Sequence, residues 1–276
     1  MSSLSLIQVG VCGLIGLGAG VLGGLAGVGG SILILPSLGV LFGYPQVSSH
    51  HGYMASAMTV NLVVAIPAAL RHHRAGAIRH DLLRRLVPAT AISLAGGVIA
   101  SNWFQGWQLQ LLLALGLVLY CYRLLWEAVR GLPEHLYGAD AERVTTPRLV
   151  ASATATGFTA GLLGLGGGVL QVPLLQSLCR VPLRQAIATS SAVICLTAVV
   201  GAALKLATLP GEGESVGEAL IRAAAMAPSA ILGAHLGASL THRLHLHWVR
   251  VVIAIMLLVS AYRLGLDGGR MAGWWR

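Results

Sequence analysis

Acidic residues are scarce in this chain, which has nine Asp and Glu against eighteen Lys and Arg in 276 residues. None of the nine lies in the interior of a long apolar segment, which argues against a buried carboxylate relay for protons or a carboxylate site for a cation. Charged residues make up 10% of the chain and hydrophobic residues 56%, a composition that excludes a water-soluble protein. The scarcity of charge therefore indicates an all-α polytopic membrane protein.

Cysteine is also rare, and the four cysteines have no paired spacing. They are expected to be buried thiols rather than disulfides or metal ligands. The net charge of +9 would suggest a nucleic-acid partner in a soluble protein, but these cations fall in loops beside apolar segments. There they orient a membrane protein and contact anionic lipid. The cysteines are Cys12, Cys121, Cys179 and Cys195.

Glycine is abundant, and one glycine motif occurs twice. The sequence Gly-Val-Gly-Gly-Ser-Ile-Leu-Ile-Leu-Pro at 27–36 is echoed by Gly-Leu-Gly-Gly-Gly-Val-Leu-Gln-Val-Pro at 164–173. The separations 164 − 27, 166 − 29 and 173 − 36 all equal 137, so the chain contains an internal duplication. In each copy the apolar segment after the glycines is shorter than the roughly 20 residues that a membrane span needs. Interrupted helices at matching points of two repeats indicate the binding site of a transporter.

The duplication divides the chain into a first membrane repeat at 1–130, a linker at 131–148 and a second membrane repeat at 149–276. Each repeat is predicted to contain one glycine-interrupted helix hairpin followed by three transmembrane helices. The predicted helical segments are 4–25, 31–42, 51–70, 86–102 and 108–126 in the first repeat, and 149–163, 168–178, 186–206, 219–241 and 248–266 in the second.

Corresponding loops of the two repeats carry opposite charge. The loop at 71–85 is strongly basic, whereas its counterpart at 210–218 is acidic; the uncharged loop at 102–108 corresponds to a basic one at 242–250. Because basic loops face the cytoplasm, the two repeats are expected to be inverted. This predicts a multi-pass inner-membrane protein with a cytoplasmic linker and both termini outside, and it requires each hairpin to enter and leave on one face. The first arm of each hairpin is long enough to span, so two tilted crossings per hairpin are the alternative to such a hairpin. The alternative to inverted repeats is a parallel duplication of eight ordinary spans, in which the glycines only pack helices together.

The glycine clusters have the chemistry of an anion site. A short helix that starts after such a cluster leaves backbone N–H groups unpaired at its positive end, and the missing side chains allow a small ligand to approach. The alternative roles are close helix packing for the glycines and bonds within the same helix for the hydroxyls. The predicted substrate-binding residues are Gly27, Gly29, Gly30, Ser31, Gly164, Gly166, Gly167, Gly168, Gln171, Thr189 and Ser190.

Few ionisable residues fall within the predicted spans. His235 is expected to be the deepest, and it is either a proton-coupling residue or a neutral histidine bonded to a neighbouring helix. Lys205 and Arg222, near the outer ends of their spans, are expected to extend toward the membrane surface and could attract anions there. The pairs at 50–51 and 245–247 contain histidines but lack a third ligand at a coherent spacing, so no metal site is assigned.

The duplicated glycine motif with its following proline resembles the sulfite exporter TauE/SafE family of membrane anion permeases. The likeness also includes Pro182, the Ala188-Thr189-Ser190 triplet, and the segments 88–97 and 228–237, so it covers nearly the whole chain. The resemblance implies export of small sulfur-containing anions, such as sulfite or sulfonates, across the inner membrane. One departure is that the offset of 137 matches Thr189-Ser190 with Gly52-Tyr53, so the first repeat lacks the hydroxyl pair.

These features together predict a secondary transporter that exports small anions, and not an enzyme. No cofactor and no nucleic-acid partner is expected; the partners are the anionic substrate and membrane lipid, and a homodimer is an arrangement that the sequence leaves open. The alternative function is a histidine-dependent metal permease or a membrane-embedded enzyme. A bound metal, or chemistry without net transfer of substrate, would distinguish the alternative from transport.

Overall fold

The computed structural model describes residues 5–44, 48–129, 143–166, 170–243 and 246–273. These residues form ten α-helices and one 3-10 turn at Leu209–Glu212, without a β-strand among them. All ten helical segments that the sequence predicts are present, several of them extended by a turn or more. The helices are α1 Leu6–Ala26, α2 Ser31–Phe42, α3 Ser49–Arg74, α4 His80–Ser101, α5 Gly106–Val129, α6 Thr146–Leu163, α7 Gln171–Cys179, α8 Leu183–Thr208, α9 Val216–Arg243 and α10 Leu246–Met271.

Two helix hairpins, α1–α2 and α6–α7, contain the duplicated glycines. Gly27 ends α1 with φ 64° and Gly164 ends α6 with φ 70°, a left-handed conformation that glycine adopts without steric cost. Gly29 and Gly166 repeat it, with φ of 79° and 67°. The two copies of the motif therefore fold into equivalent turns. Most of the predicted linker, and the glycines Gly167 and Gly168, lie outside the described residues.

Each hairpin has both of its ends at one end of the helix bundle. The backbone N–H of Arg143, just before α6, donates to the carbonyl of Cys179 at the end of α7 over 3.0 Å. In the other hairpin, α1 runs parallel to α9, and the Phe42 ring at the end of α2 lies 5.5 Å from the guanidinium carbon of Arg222 near the start of α9. Both hairpins thus turn back inside the bundle.

The two halves of the chain exchange these hairpins. Helix α1 of the first half packs on α9 of the second, while α6 of the second half packs on α4 of the first. A Cβ added to Gly20 would overlap the carbonyl oxygen of Ala230, and one added to Gly157 would overlap the carbonyl oxygen of Thr90. Glycines at equivalent positions therefore bring both pairs of backbones into direct contact, as small residues do between membrane helices.

Equivalent helices of the two halves run antiparallel. At one end the Nζ atom of Lys205, late in α8, lies 2.9 Å from the Nδ1 atom of His51, early in α3. At the other end the N–H of Arg79, after α3, donates to the Thr189 hydroxyl near the start of α8 over 3.1 Å. Helices α5 and α10 are also antiparallel, because Cys121 contacts Ala254 whereas Gly268 lies beside Leu111.

The charged loops segregate to opposite ends of the bundle. We call the end that carries Glu212, Glu214 and Glu218 the acidic end, and the opposite end, with the loops around 71–85 and 180–184, the basic end. Five described helices are long and apolar enough to cross a membrane by length and composition. They are α1, α3, α4, α8 with its 3-10 extension, and α9.

Candidate functional site

Asn61, in the middle of α3, connects the two glycine turns. Its Oδ1 atom accepts a hydrogen bond from the N–H of Gly30 over 2.6 Å, at the start of α2. Its Nδ2 atom donates to the Ser31 hydroxyl over 2.6 Å and to the carbonyl of Leu165, in the other hairpin turn, over 2.8 Å. The side chain is fully buried, so one amide joins the tips of both hairpins inside the helix bundle.

The positive-φ glycines make this arrangement sterically feasible. A Cβ on Gly29 would lie 3.1 Å from both polar atoms of the Asn61 amide, and a Cβ on Gly166 would overlap Nδ2. Gly27 and Gly164 pack in the same way against the neighbouring helices, on Ile187 of α8 and Met54 of α3. Four of the predicted substrate-binding residues, Gly29, Gly30, Ser31 and Gly166, therefore surround Asn61 directly.

The two short helices both begin with a buried polar side chain. Ser31 is the first residue of α2 and Gln171 the first of α7, and both are fully buried. Neither amide atom of Gln171 has a hydrogen-bond partner within the described part of the chain. A buried amide without partners is unfavourable. Gln171 can therefore donate to and accept from a ligand, and it lies next to the first N–H groups of α7.

The predicted hydroxyl pair divides between two roles. The Ser190 hydroxyl donates to the carbonyl of Gly27 over 2.7 Å and so fixes the first hairpin turn. Thr189 accepts from the N–H of Arg79 and thereby ties α8 to the loop at the basic end. The structure places Ser190 beside the site, because its partner Gly27 lies three residues before Gly30, and it places Thr189 toward the basic end.

The helix boundaries correct the comparison of this pair with the first repeat. Helix α3 begins at Ser49 and α8 at Leu183, so the offset here is 183 − 49, or 134, because the second hairpin and its loop are shorter. The counterpart of Thr189-Ser190 is then Ala55-Ser56 and not Gly52-Tyr53. Ser56 is fully buried and donates to the carbonyl of Gly52 over 3.0 Å. The first repeat therefore retains one hydroxyl of the two.

One prediction about the ionisable residues is wrong, that for Lys205, and the role of His235 stays a prediction. His235 is exposed on the outer surface of α9, because its neighbours Ala234 and Ala238 form the face that packs on α1. Lys205 does not extend to the surface; it is fully buried and bonded to other helices. Three of the four cysteines, Cys12, Cys121 and Cys179, are buried free thiols as predicted, whereas Cys195 is half-buried.

The histidines have partners that are not metal ligands. His50 bonds with the amide of Gln110 at 3.3 Å, and His51 bonds with Lys205. No group of three or more His, Cys, Asp or Glu side chains that could hold a metal occurs among the described residues, which do not include His245.

Asn61, at the centre of the candidate site, is not among the residues that the sequence predicts. A signal was available, since Asn61 is the single amide within the predicted span 51–70. Comparison of the two repeats does not identify it, because the second repeat has no amide at the matching position. Its partners in two distant segments became apparent only from the packing of α3 between the hairpins.

Apolar helices surrounding two interrupted hairpins, with a buried polar centre where the hairpins meet, define a multi-pass membrane protein with the architecture of a transporter. The sequence model of one family, described as "Sulfite exporter TauE/SafE", matches residues 12–264. The chain belongs to this family.

Curated relatives are named as probable membrane transporters. The chain is 26% identical to MamO of Magnetospirillum gryphiswaldense, over 91% of this chain and 44% of that protein. It is 26% identical to YunE of Bacillus subtilis, over 92% and 96% of the two chains, and 27% identical to MJ0441 of Methanocaldococcus jannaschii, over 68% of each. The chain thus spans less than half of the length of the MamO proteins. No solved structure matches it.

Proposed function

We propose that this protein exports small sulfur-containing oxyanions, sulfite-like or sulfonate-like, across the inner membrane as a secondary transporter. Membership of the TauE/SafE family and the transporter names of its relatives support transport. The observation that carries the proposal is the position of Asn61, which joins the tips of two interrupted hairpins through three hydrogen bonds. Paired hairpin tips are where such folds bind their substrates.

The donors at this centre are suited to an oxyanion. The Asn61 amide, the Ser31 hydroxyl and the Gln171 amide, which has no partner among the described residues, are neutral, and the first N–H groups of α2 and α7 add the positive ends of two helix dipoles. In the described conformation protein acceptors occupy the Asn61 N–H groups. When the tips separate, the anion takes the place of those acceptors. Neutral donors bind it without holding it too tightly for release.

We propose that the two halves are inverted repeats, with the basic end in the cytoplasm and both termini outside. The antiparallel course of the equivalent helices α3 and α8 supports this, because parallel repeats would place them side by side in one direction. The hairpins support it too, since α1–α2 opens toward the acidic end and α6–α7 toward the basic end. Rocking of the exchanged hairpins would then expose the centre to each side in turn.

The orientation can be tested with single cysteines introduced into a variant that lacks the native four. A cysteine at Arg79, in the loop at the basic end, should react with an impermeant maleimide only when the reagent is added to the cytoplasmic side of the membrane. One at Gly213, where nothing lies within 4 Å of an added Cβ, should react only from outside. Labelling of both positions from the same face would contradict the inverted arrangement.

Transport can be tested by efflux of labelled sulfite, thiosulfate, taurine and sulfoacetate from proteoliposomes. Because the five helices long enough to cross a membrane contain no fully buried carboxylate, movement of the anion itself is the simplest mechanism, and an inside-negative potential supplies roughly 2.3 kcal/mol per charge per 100 mV. With equal pH on both sides and a potassium diffusion potential set by valinomycin, efflux of a divalent anion should respond about twice as steeply as that of a monovalent one. Efflux that ignores the sign of the potential would reject electrogenic export, and absence of flux for every anion would reject the substrate class.

A further inference from the structure

Lys205 is the one lysine in the sequence, and its side chain is fully buried. Its Nζ atom lies 2.9 Å from Nδ1 of His51, 2.9 Å from the hydroxyl of Ser101 and 3.1 Å from Oδ1 of Asn102. An ammonium group has three N–H donors, so these three acceptors satisfy it completely. They belong to α3 and to the end of α4, which Lys205 thereby connects to α8 at the acidic end. We call this group the lysine cluster.

The hydrogen bonds define where the protons are. His51 accepts through Nδ1, so the ring is neutral and carries its proton on Nε2, which lies 3.3 Å from the carbonyl oxygen of Phe104. A second proton on His51 would remove the acceptor and place two cations 2.9 Å apart. The bond between α8 and α3 therefore exists only while the imidazole is neutral.

The charged surroundings give a protonated His51 an alternative partner. The Glu212 carboxylate lies 3.9 Å from Nε2 of His51, and a cavity of about 380 Å³ beside them is lined by His51, Asn102 and Glu212. His50 faces the neutral Gln110 of α5, and α4 presents the neutral Ser101 and Asn102. The other charges nearby are engaged elsewhere, Glu214 with Ser48 and Arg222 with Glu218.

We propose that the lysine cluster is a proton-binding latch that closes the acidic end of the permeation path. Binding of one proton by His51 from the medium at that end breaks the bond to Lys205, turns the imidazole toward Glu212 and releases α8 from α3. Because Asn61 lies ten residues after His51 on the same helix, about 15 Å away, release of α3 frees the helix that joins the hairpin tips. This inference rests on the proposed transport function, because the latch controls whether the permeation path is open at the acidic end.

The test for transport compares His51→Asn with wild type. Asparagine places an acceptor near the position of Nδ1 but cannot take up a proton at these pH values, so the latch stays closed. In proteoliposomes at constant potential, acidification at the acidic end from about pH 7 to 4, a range that includes the lower values at which a buried imidazole beside a cation takes up a proton, should raise wild-type efflux by up to about tenfold per pH unit, the limit for one proton. His51→Asn should lose this response, whereas the matched control His73→Asn, at an exposed position near the basic end of α3, should keep it. An undiminished response in His51→Asn would overturn the latch.

A second measurement does not depend on transport. Labelling with ¹⁵N-lysine gives one side-chain signal, because the chain has a single lysine. The buried ammonium should give a signal protected from exchange with water at neutral pH. Acidification should abolish that protection in wild type and leave it intact in His51→Asn. Protection that persists in wild type through the titration of histidine would exclude the latch, even if anion flux itself is confirmed; absent flux with the expected loss of protection would reject only the proposed substrate.

Discussion

Replacing Asn61 with aspartate is expected to abolish anion flux, and replacing it with alanine to reduce flux by about a hundredfold. Alanine leaves the N–H of Gly30 and the carbonyl of Leu165 buried without partners. A cost of about 1.4 kcal/mol for each lowers the fraction of protein with an assembled centre by roughly a hundredfold. Aspartate additionally replaces the donating Nδ2 with a negatively charged oxygen that repels both Leu165 and the substrate. Initial efflux rates normalised to reconstituted protein measure the effect.

Thr59→Ala is the matched control for these variants. Thr59 lies on the same helix, half-buried, and its hydroxyl donates to the carbonyl of Ala55 within α3, so its removal leaves the hairpin tips unchanged. Its efflux should stay within about twofold of wild type, since loss of a bond within one helix has little energetic effect. Asn61→Ala protein that elutes as a single species and transports at the wild-type rate would show that the centre does not bind the substrate.

Gly166→Ala is expected to have a comparably large effect. The added Cβ overlaps Nδ2 of Asn61, so the amide moves away and its bonds to Ser31 and Leu165 break. The φ of 67° at Gly166 adds about 1–2 kcal/mol for a residue that carries a Cβ,. Efflux should fall by at least about tenfold, since each 1.4 kcal/mol corresponds to a factor of ten.

Gly213→Ala separates the steric effect from backbone strain. Gly213 has φ of 76°, similar to that of Gly166, but nothing lies within 4 Å of an added Cβ. Both variants should therefore lose similar stability from the backbone, measured as thermal unfolding in detergent, while Gly166→Ala alone loses transport. Equal losses of efflux in the two variants would assign the effect to strain and not to the contact with Asn61.

The hairpins could be predicted because glycine acts locally. A left-handed turn at Gly27 or Gly164 depends on the residue itself, so the duplicated motif is sufficient to place both turns, the end of α1 and the start of α2. The offset of 137 does not hold beyond the glycine motifs, because the repeats differ in length there. A shorter second hairpin shifts α8 by three residues relative to α3, and an offset measured at the glycines cannot show that.

The polar centre could not be predicted in the same way, because its bonds join segments far apart in the chain. Asn61 lies 31 residues from Gly30 and 104 from Leu165, and nothing in the sequence of α3 specifies which helices approach it. Lys205 was misjudged for the same reason. A lysine near the end of a span usually extends to the interface, and only the approach of α3 and α4 supplies the three acceptors that keep it buried.

The exchange of hairpins between the halves also has a consequence for biosynthesis. The glycine face of α1 has its partner in α9, which begins about 190 residues later in the chain, from 216 − 26. At roughly 5–20 residues per second, α1 would leave the ribosome some 10–40 s before α9 exists. During that interval its close-packing surface has only lipid or an insertion factor beside it. The helices synthesised last thus complete the packing of α1, and a nascent chain truncated before α9 would lack the helix against which α1 packs.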